Sequence, residues 1–389
     1  MLRNISKSFT DSEVKIYHAG GPYSIFKNQE NFREIPSRAN LSFIQTLLLE
    51  EQFIKSLNGF VVIGTDSEMR QIAEAEIDLD TKLKLLPVKN PKAFKILDSK
   101  VGFQSVVTDL QISAPRGFVI KNAMDLANIK IRNDIAYFLK GDKGGGGAAV
   151  HKVSTSTLHS KVRVVGYPFL IQEEVIGSDI AIEAFFVNGI LRAYIYSDQL
   201  KFVSKYGPSY QRRITRPANS DFLSTLQIMG QYTGVHGFVN TSFIFNPTLG
   251  EHVLFEFDPR PNAWHFLTHL FGMNLSQALT ASDSAIAQVP TIHDFRVTLF
   301  ERFLAHITTV SNPWQLVNAC KNLFDSDLII MSGKKVSKKK MVIILILYPP
   351  RYLFLRIAKK CFGRLPSFIT APIKRRGVTS VLARRIIGD

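Results

Sequence analysis

The chain has 389 residues, 46% hydrophobic and 21% charged, which is ordinary for a globular protein and long enough for two or three subdomains around a real core. Its two cysteines, Cys320 and Cys361, lie far apart and match no metal or redox spacing, which excludes a disulfide scaffold and fits a reducing cytoplasm. The net charge of +16 is concentrated in residues 331–389, where 15 Lys and Arg face one acid, so the nearly neutral body cannot be read as a nucleic-acid binder from its pI. Residues 1–11 are polar and lack the apolar stretch of a secretion signal, and the longest apolar run, 341–348, falls well short of the ~18 residues of a spanning helix.

In chain order, residues 42–57 have amphipathic spacing and predict a helix, and 59–63 predict a short apolar strand. The turn 64–67 (Gly-Thr-Asp-Ser) then caps a second helix running to Ala75. Helix, strand and helix make one unit of an open α/β sheet. Residues 82–91, rich in Lys and Pro, predict a loop, and 98–110 a helix that exits at 112–115. Residues 118–120 and 135–139 predict strands. The second runs through Lys140, Gly141, Asp142 and Lys143 into Gly144, Gly145, Gly146 and Gly147, and a further apolar strand follows. Four glycines between two strands predict a hairpin with a weakly restrained tip. Its N–H groups can wrap phosphates, with Lys140 and Lys143 adding charge; a flexible linker is the alternative. It is not a Walker loop, since no Gly-Lys-Ser/Thr follows.

Residues 154–160 predict a polar connector, and 168–179 a strand, a short hinge and a turn. Two strands, 180–186 and 190–196, are joined by Asn188-Gly189. A helix is predicted over 220–232, a tight turn over 234–237 with His236, and a second hairpin from 243–245 and 253–257. No internal repeat is evident.

The most informative stretch is Phe255-Glu256-Phe257-Asp258-Pro259-Arg260-Pro261-Asn262. Residues i and i+2 of a strand share a face, so Glu256 and Asp258 aim at one point while Phe255 and Phe257 bury themselves behind. Two carboxylates in one site repel unless a cation lies between them, and hard oxygen ligands suit Mg2+. Arg260 adds a planar fork for phosphate or acyl oxygens. The plain alternative is an edge strand with a solvated acidic face and a proline turn.

The order of these features over residues 41–279 resembles the ATP-grasp superfamily of ATP-dependent ligases. Asp98-Ser99-Lys100 with Pro115 downstream is similar to the family's first ATP-binding lysine, and Tyr137-Phe138-Leu139-Lys140 with the glycines to its second lysine and phosphate flap. Gln172-Glu173-Glu174-Val175 resembles the hinge that pairs with adenine, and Asp179 the acid on the ribose hydroxyls. Glu256-Phe257-Asp258-Pro259-Arg260 resembles the Glu-x-Asn-x-Arg strand that carries magnesium and a catalytic arginine.

The resemblance implies an α/β chain of the α+β ATP-grasp type. A truncated preATP-grasp α/β subdomain would occupy 1–88, a small ATP-grasp subdomain with the flap 89–170, and a large one with the metal strand 171–290, the nucleotide lying between the last two. A helical extension over 291–330 and a basic, apolar tail over 331–389 would follow. The implied cofactors are ATP and Mg2+, with Mn2+ as a substitute. Lys100, Lys140 and Gly144, Gly145, Gly146 and Gly147 would hold phosphates, Gln172, Glu173 and Val175 adenine, and Asp179 ribose. Glu256 and Asp258 would hold the metal, and Arg260 and Lys140 would act in catalysis. The partners would be an unidentified carboxylate and nucleophile, and dimers are common among such proteins.

Three departures from the family pattern stand out. Asp258 replaces the usual Asn, adding charge while keeping an oxygen. The preceding strand, Asn240-Thr241-Ser242-Phe243, places the hydroxyl of Ser242 where a further metal ligand is expected. Gly20-Gly21 follows only an apolar stub with no opening strand–helix unit, as for a short start or an internal methionine. Asp258 is read as compensating for Ser242, whereas Ser242 and the short start motivate the competing reading, a non-catalytic ATP-binding module.

Other residues carry weaker signals. His265 and His269 have the i, i+4 spacing of a zinc pair on a predicted helix, but Trp264, Phe266, Leu267 and Leu270 make packing the favoured reading. Lys201, Lys205, Arg212 and Arg213 form either a substrate-binding set or a solvated basic loop. In the tail, basic residues alternate with apolar ones over 334–376, as expected of a segment lying on an anionic membrane surface. Contact with nucleic acid is the weaker alternative, and an unpartnered extension the plain one.

Overall fold

Four largely buried strands organise the larger part of the chain, and in this computed structural model they follow from β-branched and aromatic residues between Gly and Asn turns. The structure describes Phe9 and residues 16–19, 32–35, 44–45, 48, 61–63, 65–282, 285–310, 313–331 and 334–338. Contacts divide the chain into a first unit of residues 1–199 with 214–294 and a second of 200–213 with 295–389. The tail beyond residue 338, including most of 334–376, lies outside the described residues, as does most of the helix expected over 42–57.

The first unit opens with β1 (Ile16–Ala19) and β2 (Phe32–Ile35), paired in parallel. The apolar stub before Gly20-Gly21 is thus a short strand, and no helix precedes it among the described residues. Four residues are too few to show an alternating pattern. Residues 61–63, expected as a strand, carry no ladder among the described residues. Helix α1 (Asp66–Glu74) begins as expected, with Thr65 accepting from Glu68 N. The Lys/Pro-rich loop is instead partly helical. Asp78 caps α2 (Leu79–Leu85) by accepting from Thr81 N, and Leu85 and Leu86 are buried. A 3-10 turn over Pro91–Ile96 leads into α3 (Lys100–Asp109), capped by Ser99.

A four-stranded sheet follows, in the order β3 (Gly117–Ile120), β6 (Phe169–Glu173), β4 (Tyr137–Gly141), β5 (Val150–Val153), all antiparallel. Its apolar face packs on α5 (Thr155–Val165) through Leu158 and Val162; a short helix, α4 (Ala123–Asn128), precedes β4. The connector expected at 154–160 is thus the first turn of α5, with Ser154 and Thr157 forming a capping box. The β4–β5 hairpin with the glycine tip forms as expected.

The main sheet of this unit has β7 (Ser178–Val187) between β8 (Ile190–Phe202) and β10 (Gly237–Asn246), with β11 (Glu251–Asp258) beyond β10. The Asn188-Gly189 hairpin has φ of 50° and 80°, the left-handed pair a two-residue turn needs. Behind the sheet, Ile182, Ala184, Val239, Phe243 and Phe257 share one core with Met69, Ile72, Val106 and, from α6 (Asp221–Thr233), Phe222, Leu226 and Met229. Two short helices, α7 (Leu267–Leu270) and α8 (Leu275–Thr280), close the unit.

The second unit holds β9 (Ser209–Ile214), β12 (Phe295–Leu299), α9 (Phe300–Thr309), α10 (Pro313–Phe324), β13 (Leu328–Met331) and β14 (Lys334–Lys335). The stretch 291–330 therefore contains strands as well as helices, β12 and β13 pairing in parallel around the intervening helices. Tyr210, Phe300, Phe303 and Leu323 form its core. Arg212 and Ser209 are buried and bonded to each other at 2.7 Å, so Arg212 does not stand on a solvated loop.

Candidate active site

Strand β11 places its acids as the sequence predicts. Asp258 stands opposite Asn240 of β10, which in turn stands opposite Glu183 of β7; one step on, Glu256 stands opposite Ser242 and Ser242 opposite Ala181. Directly opposed residues share a face, so Glu183, Asn240 and Asp258 form one row and Ser242 and Glu256 the next. Ser242 Oγ donates to Glu256 at 3.1 Å, and Asn240 Nδ2 approaches Asp258 Oδ2 at 3.4 Å. Asn262 Nδ2 closes the row, donating to Glu183 Oε1 at 3.0 Å and to Asn240 Oδ1.

Phe255 departs from the expected alternation. The β10–β11 register shifts between Ser242 and Phe243, and this bulge leaves Phe255 unpaired. Its ring meets the Lys140 ammonium at 5.3 Å from the centroid, a cation–π contact on the lysine side rather than core burial.

Arg260 leaves the strand by a turn and returns to it. Its guanidinium donates to Asp258 Oδ2 at 3.1 Å and to Asp66 Oδ1 of α1 at 2.5 Å. Burial pulls this guanidinium down, but the Asp66 hydrogen bond and the charges of Asp258, Asp66 and Glu256 outweigh it and hold its pKa raised. The Asp258 carboxyl is pushed well above the usual carboxylate range, first by burial and then by Glu256, with Arg260 opposing. Two acids thus stand on one face, one of them held up by burial and then by the other's charge, with Arg260 as its counter-charge in contact. Their oxygens, with the Asn240 amide and the Ser242 hydroxyl beside them, are the hard donor set that fits Mg2+. Asn240, rather than Ser242, is the neighbour of Asp258. Sequence reasoning passed it over because strand register, which decides it, is not local. Among the described residues no group of three or more His, Cys, Asp or Glu forms a metal cluster.

Lys140 and Lys100 converge from the other sheet and its neighbour. Lys140 Nζ donates to Gln172 Oε1 at 2.6 Å, and burial brings its pKa down to about 8, with Glu256 opposing and Lys100 adding. Lys100 Nζ donates to the Gly144 carbonyl at 2.5 Å. The flap base is fixed by Asp142, which is buried and accepts from Ser99 Oγ at 2.6 Å and Val101 N at 3.0 Å. Gly144, Gly146 and Gly147 have φ of 88°, 68° and 75°, and a side chain at Gly144, Gly145 or Gly146 would meet nothing within 4 Å. The tip is open and uses left-handed backbone that only glycine adopts cheaply.

The hinge differs in detail from the expectation. Gln172 is 1% exposed, and its side chain spans Lys140 and Gln104, bonded to the latter at 2.8 Å. Its side chain is thus committed inside the fold. Glu173 N and Glu174 N donate to Arg116 and Ala136 carbonyls, which leaves Val175, past the strand end, as the first hinge residue outside the ladders. Asp179 lies exposed at the start of β7. His265 and His269 do not share a helix: α7 begins at Leu267, and the buried His265 ring contacts Asn262 and the Val239 carbonyl. The packing reading holds for His265.

No protein-family model matches the chain, and no curated protein is similar to it in sequence. Solved structures are similar in fold. Biotin carboxylase from Campylobacter jejuni, in a β,γ-ATP complex, aligns with a TM-score of 0.55 at 10% identity over 74% of this chain and 69% of that one. N5-carboxyaminoimidazole ribonucleotide synthetase, as an ADP complex, aligns at 0.55 with 12% identity over 76% and 77%. The L-amino acid ligase of Bacillus licheniformis aligns at 0.53 with 13% identity, over 73% of each chain. With the two antiparallel sheets, the glycine hairpin and the paired acids in place, the chain has the ATP-grasp fold.

Proposed function

We propose that this protein is an ATP- and Mg2+-dependent ligase that activates a carboxylate and joins it to an amine or similar nucleophile. The observation that carries the reading is the face shared by Glu256, Asp258 and Asn240, beside Lys140 and Arg260, on this fold. Lys100 and Lys140 would neutralise phosphate oxygens, and the glycine tip would close over them through its N–H groups. The Val175 backbone would meet adenine and Asp179 the ribose. Glu256 and Asp258, assisted by Asn240, would hold Mg2+, which supplies charge neutralisation of the phosphates.

In the reaction this implies, a carboxylate oxygen attacks the γ-phosphorus and ADP leaves. The amine then attacks the acyl carbon, phosphate departs, and the amine proton passes to solvent or a base. Arg260, oriented by Asp66, would stabilise charge on the transferring group, so the protein works by positioning and electrostatics. Release of ADP in a panel of carboxylates crossed with amines tests the reading. Dependence on one carboxylate, with loss in Arg260→Met, is the expected result; no release with any pair would contradict it.

One observation favours a second reading. The strand before the acids offers an amide and a hydroxyl, Asn240 and Ser242, and no third carboxylate. Nucleotide binding without turnover would identify a non-catalytic ATP-binding module, with the basic segment 334–376 as the element that recruits it to an anionic membrane surface. Among the described residues no helix is long and apolar enough to cross a membrane.

A further inference from the structure

Helix α1 touches the candidate site at two points one turn apart. Asp66, its first residue, accepts from Arg260. Arg70, four residues on and therefore on the same face, donates from Nε to Asp98 Oδ2 at 3.1 Å and from a terminal nitrogen to Glu74 Oε2 at 3.0 Å. The other oxygen of Asp98 accepts from Gly144 N, the first flap glycine, at 3.3 Å, and the Gly144 carbonyl accepts from Lys100. Asp98 has φ of 54°, a left-handed conformation that costs a non-glycine residue on the order of 1 kcal/mol. The contacts from Arg70 and Gly144 converge on this residue. The Asp98 side chain is 11% exposed and Arg260 20%, so these are not freely solvated pairs.

We propose that α1 is a strut coupling the glycine flap to Arg260, with Asp66, Arg70 and Asp98 as positioning residues for the two ends. One helical turn is stiff, so a displacement of Arg260 carried by Asp66 reaches Asp98 and Gly144 through Arg70. Closure of the flap and placement of the arginine then become one event rather than two. The consequence for nucleotide binding rests on the ligase reading; the mechanical link rests on the ion pairs alone. The contrasting arrangement is two independent pairs that merely stabilise α1.

Amide hydrogen exchange at Gly144, whose N–H is bonded to Asp98, in the full-length, nucleotide-free protein separates them. Asp66→Asn, 78 residues from Gly144 in sequence and without contact to it, is expected to speed exchange there by about threefold to tenfold, as is Arg70→Gln. The double variant is expected to exceed neither, because both cut one path. Glu74→Gln, on the outer side of Arg70, and Asp66→Glu, which keeps the carboxylate, are expected to leave the flap slow. Flap exchange at the wild-type rate in a folded Asp66→Asn, or a double effect equal to the product of the singles, would overturn the proposal. Mg-ATP titration of the same proteins tests the underlying reading separately. If the wild type binds, Asp66→Asn is expected to lose about fivefold or more in affinity; if it does not, the ligase reading fails and the exchange data still decide the strut.

Discussion

The glycine hairpin and strand β11 supply the two halves of the proposed site, and they are built in opposite ways. The β4–β5 tip has glycines with positive φ and open space around them, held at its base through Asp142 and at its first glycine through Asp98 and Lys100. The β10–β11 pair has its acids in a cross-strand row tied by Asn240, Asn262 and Ser242, over a core that includes Phe243 and Phe257. One half is open above a pinned base and the other is tied on its strand pair. The difference matches the chemistry proposed: phosphates must enter and be enclosed, whereas metal ligands must be in place beforehand.

The comparison breaks most severely from the rigid side. Phe243 is fully buried behind the acids, and Phe243→Ala is expected to cost about 3–5 kcal/mol, read as a large fall in melting temperature. Asp142→Ala removes the acceptor for Ser99 Oγ and Val101 N at the flap base, and thermal unfolding should register a loss of about 2 kcal/mol. At the tip itself, Gly146→Ala forces a side chain into left-handed backbone and should cost about 1 kcal/mol, while Gly145→Ala should stay within about 0.5 kcal/mol. Equal effects at these two glycines would mean that conformation does not shape the tip.

Lys140 links the two halves and gives a prediction in pH. Its pKa lies near 8, below the ordinary lysine value, because burial disfavours the charged form. The folded free protein therefore holds this proton less tightly than the unfolded chain. Below pH 8 the buried charge lowers stability, and this deficit is relieved as pH rises from about 8 towards 10.5. A bound triphosphate would favour the charged form again. Calorimetry near pH 8.5 in buffers of different ionisation enthalpy is expected to show proton uptake on Mg-ATP binding, lost in Lys140→Met.

Much of the rigid half was legible in the sequence because strand alternation is a local pattern: Glu256 and Asp258 two apart state their shared face. The bulge that turns Phe255 toward Lys140 was not, since it depends on register against β10. The glycine hairpin was legible from composition, but the pin at Asp142 was not, because its partners lie 41 and 43 residues away. The same applies to Asp66, 194 residues from Arg260, and to Asn240, whose neighbour Asp258 lies across the strand pair. Helix α5 escaped because Thr155, Ser156 and Thr157 are weak helix formers that start a helix only once Ser154 and Thr157 cap it.

The central claim is that Glu256 and Asp258 prepare a site for Mg-ATP. Calorimetric titration of ATP with and without Mg2+, on the wild type and on the double variant Glu256→Ala/Asp258→Ala, tests it most directly. Magnesium-dependent binding in the micromolar range, weakened in a double variant that remains folded, is the predicted result. A folded wild type that binds no ATP, or binding indifferent to both Mg2+ and the two acids, would contradict it.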